Sequence, residues 1–377
     1  MARQRIARYP PSSTESQWFF TREELDNSPS IQQGMDWKEE RRNRQRMIQI
    51  LWQFRGLGRA PQVAINTAAT LLQRFYMRNS FQQWDKYIAV AAAYFLACKI
   101  EERPINSKNV TSMLRYLLDP RSSKDSYKFH ESEFAVPDFI AKRKEILRCE
   151  ETMLRMECFD MNLRHPHPFL GKLVPRVWSK GKGPEVVKAG ARVLDVSWFM
   201  ANDTLSAPIC LLYRPQLIAA CCIALACIVL RQPLPGKPLS LSEQRTLWDL
   251  DREEGEEETE ESAFQEDVYW LELLDVRSDE LRDPILFILE NWKLAQDAFV
   301  ADETELIRPR ILKALDELLT WPPAPLSGTS IIKGEEEGSK ASPTTNGNGG
   351  AEKTETNGAG RAEVQGEEDV KMEEVKP

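Results

Sequence analysis

Two alanine-rich apolar stretches stand out in the pattern of hydrophobic and polar positions. The first reads IAVAAAYFLACKI over residues 88–100, and the second reads LIAACCIALACIV over residues 217–229. Aligning Leu96-Ala97-Cys98 with Leu225-Ala226-Cys227 places Lys99 opposite Ile228. The two stretches indicate an internal repeat. Because only one copy carries a charge at this position, Lys99 becomes a candidate functional residue.

Between residues 17 and 300, apolar residues recur at helical spacing, with no sustained alternation typical of strands. Turn residues and prolines divide this region into helices that we expect near residues 36–56, 61–76, 85–102, 107–118, 137–158, 168–178, 184–202, from 215 onward, 263–275 and 279–299. The pattern predicts an all-α fold of two tandem five-helix bundles, each centred on one alanine-rich helix.

A short helix is predicted ahead of the first bundle. Thr21 can cap it, Glu24 can close a capping box, and Phe20 can pack on Leu25. The helix should end before Ser28-Pro29, because a residue that precedes proline is pushed away from helical angles.

Composition shifts along the chain suggest the domain boundaries. Polar, low-complexity sequence predicts disorder in 1–16 and in the tail 328–377. The remaining predicted segments are an N-terminal helix segment 17–35, a first bundle 36–162, a second bundle 163–300 with an acidic insertion at 251–262, and a connecting segment 301–327.

Charge and cysteine content narrow the function classes. The net charge of −8 argues against a general nucleic-acid-binding surface. The apolar run 217–230 is too short to cross a bilayer, and the polar N-terminus lacks the pattern of a signal peptide. Most of the seven cysteines lie in apolar helical runs, which favours a reducing compartment.

Nothing in the sequence points to catalysis. The chain has three histidines and shows neither a phosphate-binding glycine loop nor a nucleophile elbow. His165 and His167 alternate with prolines, which suits a rigid linker better than a metal site. We expect no enzyme activity, no metal and no cofactor. Arg41, Arg42, Arg44 and Arg46 form a basic run that we interpret as a solvated helix face, with nuclear localisation as a lesser alternative.

Several motifs together resemble the transcriptional cyclins of the cyclin T and cyclin K group, over roughly residues 17–300. They are Trp18–Ser30 at the N-terminus, Ala64–Ala68 and Arg74–Met77 with Ser80-Phe81, Phe95–Glu102, Phe159–Met161 with His165–His167, and Asn202–Thr204 with Leu211–Pro215. The resemblance implies tandem cyclin boxes.

The resemblance also implies a function and a site. Such a chain would be the regulatory subunit of a heterodimer with a cyclin-dependent kinase that phosphorylates the C-terminal domain of RNA polymerase II and promotes elongation. It would work in the nucleus, without binding nucleic acid or membrane directly. In this family a lysine and a glutamate pair to contact the kinase; Lys99 and Glu150 match them, and Phe95, Ile100 and Glu101 could flank the contact.

Two alternatives remain open. A general transcription factor with two cyclin folds would normally show a zinc ribbon and a basic face, and the cysteines here form no C-x-x-C pair. A helical scaffold without a kinase partner is the other alternative.

Overall fold

The computed structural model describes residues 15–119, 134–179, 183–232, 234, 270–296 and 313. Within these residues the regular secondary structure is helical, and there is no β-strand. The α-helices are α1 (Arg22–Asp26), α2 (Pro29–Gln32), α3 (Trp37–Gly58), α4 (Gln62–Phe75), α5 (Lys86–Ile100), α6 (Ser107–Leu118), α7 (Pro137–Met156), α8 (Pro166–Ser179), α9 (Pro184–Thr204), α10 (Pro215–Leu230), α11 (Trp270–Leu273) and α12 (Arg282–Gln296). Short 3-10 helices cover Glu15–Trp18, Pro208–Leu211 and Ser278–Leu281. The all-α prediction is confirmed.

Several predicted segments lie outside the described residues. They are the N-terminal residues 1–14, the acidic insertion 251–262, nearly all of the connecting segment 301–327, and the tail 328–377.

Side-chain caps fix the start of several helices, including the one predicted at Thr21. The capping box before α1 is present: Thr21 Oγ1 accepts from the Glu24 backbone N–H at 3.2 Å, and Glu24 Oε2 accepts from the Thr21 N–H at 2.8 Å. The side chains of Asp36, Asp85 and Asn106 accept from the first turns of α3, α5 and α6. These bonds satisfy N–H groups that have no partner within a helix.

Some helix boundaries differ from the prediction. Helix α3 continues through Gly56 to Gly58, and Arg59 ends it in the left-handed region with φ 53°. Of the helix expected at 263–275, the described part is Trp270–Leu273. The last predicted helix begins as the 3-10 turn Ser278–Leu281, and α12 starts only at Arg282. Pro284 explains that late start, because it has no N–H to bond back to residue 280.

Two buried hydrophobic clusters form around the two alanine-rich helices. In the first, α5 packs against α3, α4, α6 and α7. In the second, α10 packs against α8, α9 and α12. Small side chains on both central helices let these neighbours approach closely. Among the described residues, no helix is long and apolar enough to cross a membrane.

Polar contacts join the two clusters. The Phe20 N–H donates to the Leu211 carbonyl at 2.7 Å, so the N-terminal segment reaches the second cluster. Arg22 pairs with Asp283 at 2.9 Å. The Gln73 side chain on α4 donates to the Leu205 carbonyl at 3.0 Å.

The basic run on α3 is not a uniform solvated face. Arg42 and Arg46 are exposed, as expected. Arg44, however, is fully buried and bonds Glu40, and Arg41 is largely covered beside Asp26. The interpretation as a solvated face is therefore wrong for Arg41 and Arg44, because both guanidinium groups join elements of the fold.

Candidate functional site

Lys99 and Glu150 form an ion pair between the end of α5 and the middle of α7. The Lys99 Nζ atom donates to Glu150 Oε1 at 2.6 Å. The Lys99 side chain is 45% exposed, whereas that of Glu150 is 7% exposed. The carboxylate is therefore held in the protein, and the ammonium group lies where a partner could reach it.

The ring of Phe95 packs against the ammonium group of Lys99. It precedes Lys99 by one helical turn and is buried, and Lys99 Nζ lies 3.9 Å from the centre of its ring. A cation above an aromatic face is attracted to it. The carboxylate and the ring together restrict where the Lys99 side chain can point.

The second alanine-rich helix has no such arrangement. Ile228, which aligns with Lys99, is buried at the end of α10. The difference in charge seen in the sequence is thus also a difference in exposure. It places the candidate site on the first cluster alone.

Exposed apolar side chains lie on the same side of α7 as Glu150. Ile140 is 54% exposed and Leu147 is 37% exposed. Leu147 precedes Glu150 by three residues and follows Ile140 by seven, so the three share one side of the helix. We call Phe95, Lys99, Ile140, Leu147 and Glu150 the α5–α7 face.

Sequence reasoning missed Ile140 and Leu147. The signal was available in the helical spacing of α7, whose buried side is formed by Ile146, Cys149 and Met153. Ile140 and Leu147 fall away from that side, and large apolar residues outside the buried stripe of a helix often mark a contact surface.

Ile100 and Glu101 have different surroundings from the ion pair. Ile100 is half-buried and packs against the first cluster. Glu101 Oε1 accepts a hydrogen bond from Thr67 Oγ1 at 2.5 Å. The structure thus brings Phe95, Lys99 and Glu150 together, and the hydrogen bond of Glu101 goes to α4.

The two histidines after α7 are buried between the clusters. His165 Nε2 lies 2.9 Å from Thr67 Oγ1. His167 Nδ1 lies 3.0 Å from Asn66 Nδ2, and its Nε2 lies 2.9 Å from Asn202 Oδ1. Burial, with a smaller contribution from nearby positive charge, lowers the pKa of His165 to about 3, so its ring is neutral. Among the described residues, no group of three or more His, Cys, Asp or Glu could hold a metal ion.

Comparison with known proteins shows which family the first part of the chain resembles. The family "Cyclin, N-terminal domain" matches residues 15–162, a range that contains the whole α5–α7 face. The chain is 31% identical to Cyclin-T2 of Mus musculus over 213 residues and 30% identical to Cyclin-T1 of Homo sapiens over 221 residues. Residues 15–162 are therefore similar to the N-terminal domain of cyclins. The resemblance to the cyclin T group is thereby confirmed.

The extent of these matches differs between the chains. Each match covers a little over half of this chain, 56% and 57%, but 27% of the relative. The chain therefore matches about a quarter of the length of those curated relatives. A chain in the crystal structure of the yeast RNA Pol II CTD kinase CTDK-1 complex shares the fold, with a TM-score of 0.52, 15% identity, and coverage of 79% of this chain and 82% of that chain.

Proposed function

We propose that this chain is the regulatory subunit of a transcriptional cyclin-dependent kinase. It binds the kinase through the α5–α7 face and activates it toward the C-terminal domain of RNA polymerase II, which promotes elongation in the nucleus. The chain contributes no catalytic group of its own. The observation that carries the proposal is the Lys99–Glu150 pair, in which a half-exposed lysine is held by a buried carboxylate.

The composition of the face suits a protein partner. Specific interfaces commonly combine apolar anchors with a few polar groups that fix the orientation. An ammonium group has three N–H donors, and among the described residues the one hydrogen bond of Lys99 is to Glu150. The other donors can bond a partner's acceptors. Because Glu150 already compensates the charge, covering Lys99 with a partner leaves no unpaired ion.

Such binding can activate a kinase by selecting one of its conformations. A kinase aligns ATP only when its β3 lysine pairs with the glutamate of its αC helix. A subunit that binds the paired state more tightly shifts the population toward it. The required effect is differential affinity, which a rigid face on a packed bundle supplies.

The test is the double substitution Lys99→Ala and Glu150→Ala in the full-length chain. The probe is the cyclin-dependent kinase that co-purifies with the wild-type chain, identified by mass spectrometry. Phosphorylation of a peptide carrying the polymerase repeats should fall by at least about tenfold, equivalent to the loss of one strong interfacial contact. Helical content and melting temperature should be retained, because removing both partners leaves no buried carboxylate unpaired.

A matched control separates this face from ion pairs in general. Arg277→Ala with Asp279→Ala removes an exposed ion pair of 2.5 Å from the part of the chain that belongs to the second cluster. This control should activate the kinase as the wild type does. Full activation by the Lys99 and Glu150 double variant would refute the proposed site, and recovery of no kinase would refute the proposed function.

A further inference from the structure

Three hydrogen-bonded side chains, those of Glu101, Thr67 and His165, connect the end of α5 to the segment between the two clusters. Glu101 follows Lys99 by two residues and accepts from Thr67 Oγ1 on α4 at 2.5 Å. Thr67 is fully buried, and its Oγ1 lies 2.9 Å from His165 Nε2. His165 immediately precedes α8, so the end of α5 is connected to the start of the second cluster.

The number of available protons determines which group donates in each of these hydrogen bonds. A threonine hydroxyl has one proton to donate. A carboxylate can only accept, so the Thr67 proton goes to Glu101. His165 Nε2 must then carry a hydrogen and donate to Thr67 Oγ1, which is consistent with its neutral ring. Each of the three groups therefore depends on the next for a satisfied hydrogen bond.

The backbone at the end of α5 needs such support. Glu102 adopts φ 52°, in the left-handed region that is unfavourable for a residue with a Cβ atom. Its N–H bonds the Lys99 carbonyl at 3.2 Å, and the Arg103 N–H bonds the Cys98 carbonyl at 2.8 Å. A strained residue persists only where its surroundings fix it. The hydrogen bond of the adjacent Glu101 side chain is one restraint on Glu102. The turn that it restrains begins at Lys99.

Helix α4, which carries Thr67, also contacts the start of the second cluster. Asn66, next to Thr67, lies 3.0 Å from His167, and Gln62 donates to both Asn66 and Asn202 at 2.9 Å and 3.0 Å. Helix α4 thus contacts both His165 and His167. Movement of the second cluster relative to α4 would strain the bond to Thr67.

We propose that Glu101 is a positioning residue, which acts through Thr67 and His165 so that the second cluster helps to set the geometry of the Lys99–Glu150 pair. The inference rests on the proposed function for its effect on the kinase. It assigns to Glu101 an inward role, in place of the flanking contact that the family resemblance suggests.

Three substitutions separate a positioning role from direct contact. Thr67→Val removes the hydroxyl, Thr67→Ser keeps it, and Glu101→Gln removes the charge but keeps an acceptor. We expect Thr67→Val to weaken kinase binding by about fivefold or more, a typical size for coupling between sites. Thr67→Ser and Glu101→Gln should bind nearly as the wild type does. If Glu101→Gln loses as much affinity as Lys99→Ala, Glu101 contacts the kinase through its charge, and the inference is wrong.

A double-mutant cycle then tests whether the effect passes through Lys99. Affinity for the co-purifying kinase is measured in the full-length chain for Thr67→Val, Lys99→Ala and both together, well below their melting temperatures. A positioning role predicts that Thr67→Val has no further effect once Lys99 is removed. Equal losses in both backgrounds would show general destabilisation and overturn the inference.

Hydrogen exchange gives a readout that does not need the kinase. Amides of residues 98–104 should exchange faster in Thr67→Val and in Glu101→Ala than in the wild type, but not in Glu101→Gln. Unchanged protection in Thr67→Val would overturn the inference even if the Lys99 and Glu150 double variant fails to activate. Conversely, changed protection with full activation by that double variant would refute the proposed kinase-binding site and leave the restraint on α5 established.

Discussion

Replacing Arg44 by methionine should destabilise the protein far more than the same replacement at Arg42, two residues away on α3. Arg44 and its partner Glu40 are both 0% exposed, and Arg44 Nε donates to Glu40 Oε1 at 2.7 Å. Arg44 also donates to the Gln73 and Tyr76 carbonyls, both at 3.1 Å, and so joins α3 to the end of α4. Arg42 is exposed.

The magnitude follows from what the substitution leaves behind. Methionine fills much of the arginine volume, so the main cost is a buried Glu40 carboxylate without its cation. Breaking a buried ion pair by removing one partner costs about 3 to 5 kcal/mol. For the roughly 230 residues that the structure describes, with about 2.1 cal/mol/K of unfolding entropy each, that corresponds to a drop in melting temperature of about 6 to 10 °C. Arg42→Met, which leaves nothing buried and unpaired, should change the free energy of unfolding by at most about 0.5 kcal/mol.

The assay is urea denaturation of the full-length variants, supported by calorimetry. Glu40→Leu combined with Arg44→Met removes both charges and should recover much of the loss, because an apolar pair needs no compensation in the interior. If Arg44→Met is as mild as Arg42→Met, or if the combined variant loses the sum of the two single losses, the account of this pair is wrong.

Two further predictions concern packing and protonation. Gly58→Ala would place a Cβ 2.1 Å from the Tyr94 hydroxyl and should lower the free energy of unfolding by about 1 to 3 kcal/mol. Gly56→Ala has open space around it in the same helix and should raise the free energy of unfolding by about 0.5 to 1 kcal/mol. The melting temperatures of the two variants should therefore shift in opposite directions. The pKa of His165 is about 3 in the folded chain against the ordinary 6.5, so the unfolded state binds more protons between these values. Stability should therefore fall as pH drops below about 6.5, with His165 accounting for about 2 kcal/mol between pH 8 and pH 5. His165→Gln keeps a donor for Thr67 and should lose correspondingly less in urea denaturation at the two pH values; an unchanged loss would show that His165 titrates normally.

Local signals in the sequence were sufficient to place the helices. The capping box at Thr21 and Glu24 depends on residues three positions apart, which a single sequence displays directly. Burial of Arg44 was missed because its charge was given more weight than its position. Arg44 follows Glu40 by four residues and precedes Met47 and Leu51 by three and seven, so it lies in the buried stripe of α3.

The sequence pattern alone predicted only one of the two charged residues of the candidate site. The comparison of the two alanine-rich helices singled out Lys99, because a repeat shows where one copy departs from the other. Glu150 lies 51 residues further along, and helical periodicity does not show that any glutamate of α7 pairs with a residue of α5. That pairing came from the family resemblance. Periodicity does favour Glu150 over Glu151 for a buried role, since Glu150 falls in line with Ile146 and Met153.

The two central helices also bear on the stoichiometry that the proposal implies. Both are buried along nearly their whole length, and they differ where they leave the core: α10 remains covered at Ile228, while α5 ends with the half-exposed Lys99. A docking contact that requires an exposed cation over a buried carboxylate can therefore form on the first cluster but not at the aligned position of the second. If the pair is the kinase contact, each chain provides one such contact and should bind one kinase. The second cluster would then contribute by holding α4 and the end of α5 through His165, so a repeat that lacks the contact can still influence it.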